Sequence, residues 1–134
     1  MTIHPIEDRH SAYERIGGAA TVAAVTDDLY RRLLDDERLA SHFLGMSIER
    51  IKHHMRSVLA QLLGGPGQYD MTRLRAAHGQ LCVSRADYAA TCGHLMGAQA
   101  DAGVPADVRG LMRIVADSLE PVIILRPAPG RAVA

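Results

Sequence analysis

Seven histidines occur in this chain, His4, His10, His42, His53, His54, His78 and His94. Imidazole is the side chain best suited to ligating a transition metal or moving a proton near neutral pH. Two of them fall on apolar helical stripes. Taking Ile51 as the reference at about 100° per residue, Met55 lies near ~40°, Val58 near ~340° and Leu62 near ~20°. His54 falls near ~300°, at the edge of that face, and His53 near ~200°, on the opposite side. One imidazole of the pair therefore points inward and its neighbour points to solvent. A histidine so placed is commonly no more than a satisfied core residue; the functional alternative is a ligand or a hydrogen-bond donor inside a pocket.

His78 lies four residues after Leu74 and three before Leu81, so it also faces an apolar side. Its neighbours Ala76, Ala77 and Gly79 are small, which suits either tight helix packing or the close approach of a flat cofactor. Its ring could ligate a metal through one nitrogen while a backbone carbonyl orients the other. Tyr30 stands beside the core position Leu29, and a buried tyrosine hydroxyl needs a partner. The commoner arrangement is a half-buried ring with its hydroxyl at the surface. Other site chemistries fit poorly. There is no H-E-x-x-H, no pair of Glu-x-x-His motifs, no G-x-S-x-G and no P-loop. His78 and Cys82 are one helical turn apart and could share a soft metal ion, but no further ligands accompany them. Cys82 and Cys92 form no C-x-x-C, so they read as free thiols.

These residues require helices to position them. Ser11 to Glu14 is a capping box that opens a very short helix stopped by Gly17 and Gly18. Val22, Val25, Leu29 and Leu33 repeat at threes and fours and predict an amphipathic helix from Ala19 to about Asp36. A short helical turn follows through Leu39, and Phe43 to Met46 reads as a loop. Ser47 is an N-cap for a strong stripe, Ile48, Ile51, Met55, Val58, Leu59 and Leu62, ended by Gly64, Gly65 and Pro66. Leu74, Ala77, His78 and Leu81 form a short helix face. Ser84 caps a helix carrying Tyr88, Cys92, Leu95, Met96 and Gln99 that ends at Gly103. A last helix starts near Pro105, carries Val108, Leu111, Met112, Val115 and Leu119, and should kink or end at Pro121. No segment alternates at period two. The reading is all-α: a loose stretch over 1–10, one domain over 11–124 and a tail over 125–134 that should fray.

Bulk properties agree with one globular domain. The chain has 134 residues, 48% of them hydrophobic and 22% charged, which is enough apolar material for a core. Lys plus Arg equals Asp plus Glu at 15 each, so there is no electrostatic footprint for nucleic acid or an anionic membrane. No apolar run reaches the ~20 residues of a membrane helix, and the N-terminus is acidic where a signal peptide would be apolar, so the expected location is cytoplasmic. Aromatics are scarce, at four Tyr, one Phe and no Trp. Such a core is filled by aliphatic groups or by something the chain does not supply.

In order along the chain, five pieces resemble the truncated (two-over-two) haemoglobins of group I, over roughly Ser11 to Pro121. Ser11-Ala-Tyr-Glu-Arg-Ile-Gly17-Gly18 resembles the family's first helix and first glycine pair. Leu29-Tyr30 resembles the dipeptide that ends in its distal tyrosine. Asp35-Asp36-Glu37-Arg38, followed by His42-Phe43, matches the turn before its haem-packing phenylalanine. Leu63-Gly64-Gly65-Pro66 resembles its second glycine motif. Leu74-Arg75-Ala-Ala-His78 resembles its proximal histidine segment. Each is weak alone; their order and spacing make the likeness specific.

The resemblance implies a non-covalently held haem b in a two-over-two helical sandwich. His78 would be the proximal iron ligand, Tyr30 the distal donor and Phe43 the ring that stacks on the porphyrin. Ile51 would stand at the gate, with Met55 one turn further in, and His54 where six-coordinate members place a second iron ligand. Leu44, Leu74, Arg75 and Tyr88 would complete the haem contacts. Glu120 occupies the place of a histidine that some relatives link covalently to the haem, hence the non-covalent expectation. Many oxygen-binding members carry glutamine at the Ile51 or Met55 position; both are apolar here. The implied ligands are O2, NO and CO. The implied activities are gas binding and conversion of nitric oxide to nitrate with a reductase partner, in a monomer or weak homodimer. The alternative is a bis-histidyl redox or gas-sensing protein with His54 and His78 both on iron.

Overall fold

Serine and aspartate caps, apolar stripes and glycine stops divide the chain into helices where the patterning places them. The computed structural model describes residues 11–66, 72 and 83–123. Its elements are α1 (Ala12–Arg15), α2 (Gly18–Asp35), α3 (Glu37–Ala40), a 3₁₀ turn (Ser41–Phe43), α4 (Ile48–Leu62), α5 (Arg85–Asp101) and α6 (Ala106–Ile123). All regular structure among the described residues is helical. The Ser11 hydroxyl accepts from the Glu14 N–H at 3.2 Å, that of Ser47 from Arg50 at 3.3 Å, and that of Ser84 from Asp87 at 3.0 Å. Each satisfies a donor that the first helical turn leaves orphaned. The expected short helix over 74–81 and both chain ends lie outside the described residues.

Two expectations are corrected. Phe43 belongs to a 3₁₀ turn rather than to open loop. Pro121 does not end α6, which runs on to Ile123. It sits in the last turn, where the one carbonyl deprived of a helical partner, that of Asp117, belongs to a solvent-exposed residue and costs little.

Helix α2 packs on α4, α5 packs on α6, and α2 crosses to α5, so two helical pairs lie one over the other. The stripe of α2 explains its central place. Val22, Val25, Leu29 and Leu33 are all buried, and Leu29 is fully enclosed. They meet Leu59 and Leu63 from the end of α4, Ala98 from α5, and Val108 and Met112 from α6. Each large aliphatic group buried this way contributes roughly 1.5–3 kcal/mol. Thr26, also fully buried, returns its hydroxyl to the Val22 carbonyl at 2.8 Å and so leaves no donor unpaired.

The first glycine pair and the second close one joint. Gly17 has φ +112° at the start of α2. At the end of α4 the Gly65 N–H donates to the Ala60 carbonyl and the Gly64 N–H to that of Gln61, the paired bonds of a Schellman cap. A Cβ on Gly65 would stand 2.4 Å from the Tyr13 ring, and the Tyr13 N–H donates to the Leu63 carbonyl at 2.9 Å. The four-residue α1 is held there by contact, since a helix that short has no stability of its own. Polar ties join the remaining elements: Arg15 to Asp107 at 2.7 Å, Lys52 to Asp27 at 3.3 Å, and Arg85 to Glu120 at 3.1 Å. Arg32 bonds both Asp28 on its own helix and Asp101 on α5. It reaches Asp101 across Gly97, where a Cβ would meet its guanidinium at 2.5 Å.

Candidate functional site

Close packing leaves few voids larger than a water molecule in a protein interior. Here the side chains of α2, α4, α5 and α6 enclose a cavity of about 260 Å³. Its walls are mostly aliphatic, with Leu33, Ile51, Met55, Leu95, Val115 and Leu119 among them. The scarcity of aromatics therefore has a structural counterpart: the core contains space that the described side chains do not fill.

Polar groups stand at particular points on these walls. Tyr30 reaches the cavity from α2 and is only 5% exposed. Its ring meets Phe43 edge to face, with centroids 5.8 Å apart at 81°. That arrangement places the positive ring edge of one against the negative face of the other. His54 lines the cavity from α4 and His53 is exposed, as the angular argument requires. Tyr88 and Cys92, one turn apart on α5, lie on the opposite wall. The Tyr88 hydroxyl donates to the Ala116 carbonyl of α6. Burial above all, then the neighbouring Cys92 thiol, holds the Tyr88 pKa well above its ordinary value, so it remains a neutral phenol. Burial likewise pushes the Cys92 thiol up, against the opposing pull of its hydrogen bond with Tyr88.

Of the residues singled out from sequence, Tyr30, Phe43, Ile51, His54, Met55 and Tyr88 converge on this cavity. Leu44 does not line it: next to the positive-φ Gly45, it is 80% exposed. Leu74, Arg75 and His78 lie outside the described residues. Sequence reasoning missed His42 and Asp87, which both line the cavity and are joined Nε2 to Oδ2 at 2.8 Å. The adjacency of His42 to the chain's single phenylalanine was the available signal. A second pair, His94 Nε2 to Asp36 Oδ2 at 2.9 Å, lies on the same seam. Asp36 also caps α3 through the Arg38 N–H. The Arg38 guanidinium, with His94 beside it, holds the Asp36 carboxyl well below the usual carboxylate range.

The wall composition suits a large, flat, apolar group. A phenylalanine and a phenol border it, an imidazole reaches in from α4, and a buried tyrosine completes the same pocket. No cluster of three or more His, Cys, Asp or Glu side chains able to hold a bare metal ion is found among the described residues.

A family model described as bacterial-like globin matches residues 11–122. The chain is 33% identical to the group 1 truncated haemoglobin GlbN of Mycolicibacterium paratuberculosis over 97 residues, which covers 72% of this chain and 71% of that protein. It is 32% identical to GlbN of a Nostoc species, over 71% of this chain and 80% of that one. Among solved structures, the haemoglobin of the thermophilic phototroph Chloroflexus aurantiacus superposes with a TM-score of 0.75 at 32% identity, over 87% of this chain and 98% of that one. The 2/2 haemoglobin of Synechococcus sp. PCC 7002, solved with covalently attached haem, shares the fold with a TM-score of 0.79 at 24% identity, over 87% of this chain and 99% of that one.

Proposed function

The chain belongs to the bacterial-like globins, as a group 1 truncated haemoglobin, and from that premise we propose that its 260 Å³ cavity holds haem b non-covalently for binding O2, NO and CO. The observation that carries the assignment to this cavity is the convergence of Tyr30, Phe43, His54 and Tyr88 on one apolar space. When bound, the haem supplies an iron that takes up a diatomic gas reversibly.

The protein's own groups supply the rest. Aliphatic walls exclude water and grip the porphyrin through buried area. Phe43, fixed by its edge-to-face contact with Tyr30, would be the ring that packs against the porphyrin. The Tyr30 phenol, buried at the cavity wall, would be the group that donates a hydrogen bond to a bound gas. Tyr88 is anchored on the Ala116 carbonyl and kept protonated, so it serves as wall and not as ligand. His78, outside the described residues, would be the residue that ligates the iron. Glu120 is paired with Arg85 and offers no imidazole to link to a haem vinyl group, so acid–acetone should extract the haem completely.

Tyr30 also supports a finer reading. Conversion of nitric oxide to nitrate joins NO and O2 with one electron and leaves ferric iron, which a reductase must return to ferrous. Stopped-flow mixing of the oxygenated protein with nitric oxide should then yield ferric protein and stoichiometric nitrate; absence of ferric product removes the dioxygenase reading. One observation favours a second reading, in which His54 would ligate the iron as well as His78: the His54 side chain faces the cavity while His53 does not. Absorption spectra separate the two. A low-spin ferric spectrum that His54→Ala converts to high spin supports bis-histidyl ligation, and an unchanged spectrum removes it. Loss of the Soret band in His78→Ala tests the proximal ligand.

A further inference from the structure

The corner that carries Phe43 is weakly built. It consists of the four-residue α3 and a three-residue 3₁₀ turn, too short to persist alone. Leu39, 2% exposed, is its one deeply buried side chain. Beyond Phe43 the chain is exposed at Leu44, 80%, and only partly covered at Met46, 42% exposed, which still borders the cavity. The corner's apolar hold on the molecule is confined to Leu39 in the core, Phe43 packed against it, and Met46 at the cavity wall.

Two polar contacts reinforce this hold, and they are crossed. The corner contributes an acid, Asp36, and a base, His42. Helix α5 contributes a base, His94, and an acid, Asp87. Asp36 takes His94 at 2.9 Å and His42 takes Asp87 at 2.8 Å. Asp87 and His94 lie seven residues apart, two turns along one face of α5. All four side chains are largely shielded: Asp36 is 14% exposed and His94 27%, Asp87 22% and His42 21%. Shielding makes hydrogen bonds to a carboxylate considerably stronger than exposed ion pairs. The outer contact is also rigid at its acid end, because Asp36 is bound by Arg38 as well and caps α3. The inner contact borders the cavity directly, one residue from Phe43.

We propose that these two crossed histidine–carboxylate pairs clamp the Phe43 corner onto α5, so that His42, Asp87, His94 and Asp36 are positioning residues for cofactor retention. The clamp acts through Phe43, and it rests on the haem reading of the cavity. With the two polar contacts released, Leu39 and Phe43 are the apolar anchors that the corner must lift to give the porphyrin an entry and exit path beside the 3₁₀ turn.

The test measures transfer of ferric haem from the intact protein to excess apomyoglobin. Asp87→Asn and His42→Gln should each accelerate haem loss on the order of tenfold, the effect expected for one shielded charge-assisted bond. His94→Gln should act in the same direction. The exchanged double variant, His42→Asp with Asp87→His, should recover slow loss. The cyanide complexes of the single variants should show moved haem-methyl proton shifts, reporting a reseated ring. Arg15→Gln, which breaks a tie remote from the cavity, should leave both readouts unchanged. Haem loss at the wild-type rate in Asp87→Asn and His42→Gln, or equal acceleration by Arg15→Gln, overturns the clamp while leaving haem binding intact. A wild-type chain that takes up no haem overturns the haem reading, and the clamp with it.

Discussion

Leu59 borders two spaces at once. It lines the 260 Å³ cavity on one side and a small one of about 10 Å³ on the other, the latter bounded also by Ile16, Val25 and Gln99. It is 4% exposed. Leu59→Ala removes about three methylene equivalents at ~0.8 kcal/mol each, a transfer loss of ~2.4 kcal/mol. Unfilled space adds to this, since buried Leu→Ala changes span roughly 2–5 kcal/mol. The existing cavities already deprive the side chain of some contacts, which keeps the total near ~3 kcal/mol. For a domain of this size that is about 12 °C in Tm. The variant also joins the two spaces. After flash photolysis of the CO complex, the freed ligand has more room beside the pocket, and the fraction that rebinds within nanoseconds should fall. Leu59→Met, which conserves volume, should cost under ~1.5 kcal/mol and preserve the fast phase. A Tm drop below about 4 °C in Leu59→Ala, which is ~1 kcal/mol on the same scale, would refute the packing argument. An unchanged fast phase would refute the role of Leu59 as the partition.

Three further outcomes are expected. Asp36 has a folded-state pKa held below its ordinary value of 3.8 by Arg38 and then His94, so its stabilisation is complete above the unfolded carboxylate pKa and disappears as pH falls through the lower folded one; Asp36→Asn should therefore unfold more readily than wild type in urea at pH 7, and the gap should narrow as acid is added below pH ~4. Burial raises the Cys92 pKa, so little thiolate exists at neutral pH; peptide mapping after iodoacetamide treatment should find Cys92 nearly unmodified at pH 7 and increasingly labelled as pH rises past 9, and rapid labelling at pH 7 would contradict its placement. Gln99 is 4% exposed and its Nε2 has no partner among the described residues, so Gln99→Met should be neutral or stabilising by ~1 kcal/mol in thermal melts, with a loss of that size pointing to a bound water instead.

The helices were legible because their signals are local. Ser11, Ser47 and Ser84 cap the helices they precede, and the three- and four-residue spacing of Val22, Val25, Leu29 and Leu33 names the buried face of α2. The inward turn of His54 against its neighbour followed from helix geometry alone. Tyr30 was half legible: its adjacency to Leu29 left a surface hydroxyl the commoner expectation, and only the folded packing buries it to 5% exposure. The His42–Asp87 contact was not legible, because its partners stand 45 positions apart and meet only after α2 and α5 pack. Pro121 misled for the opposite reason: a rule about helix interiors was applied to a last turn, where it carries less weight. Leu44 was expected at the haem only through the family resemblance; beside the positive-φ Gly45 it is 80% exposed.

Tyr13 turns two distant glycine pairs into a single constraint. A side chain on Gly65 would collide with its ring, one on Gly18 would lie against it at 3.6 Å, and one on Gly64 would press on Ser11 at 3.1 Å. Variation at these positions is therefore not independent, although 46 residues separate Gly18 from Gly64 along the chain (64 − 18). A library randomised at Gly65 alone should return almost only glycine. One randomised at Gly65 and residue 13 together should return small pairs, because a shortened residue 13 vacates the volume that the new side chain needs. The accessible sequence space around this joint is a narrow diagonal, entered by paired steps and closed to single ones.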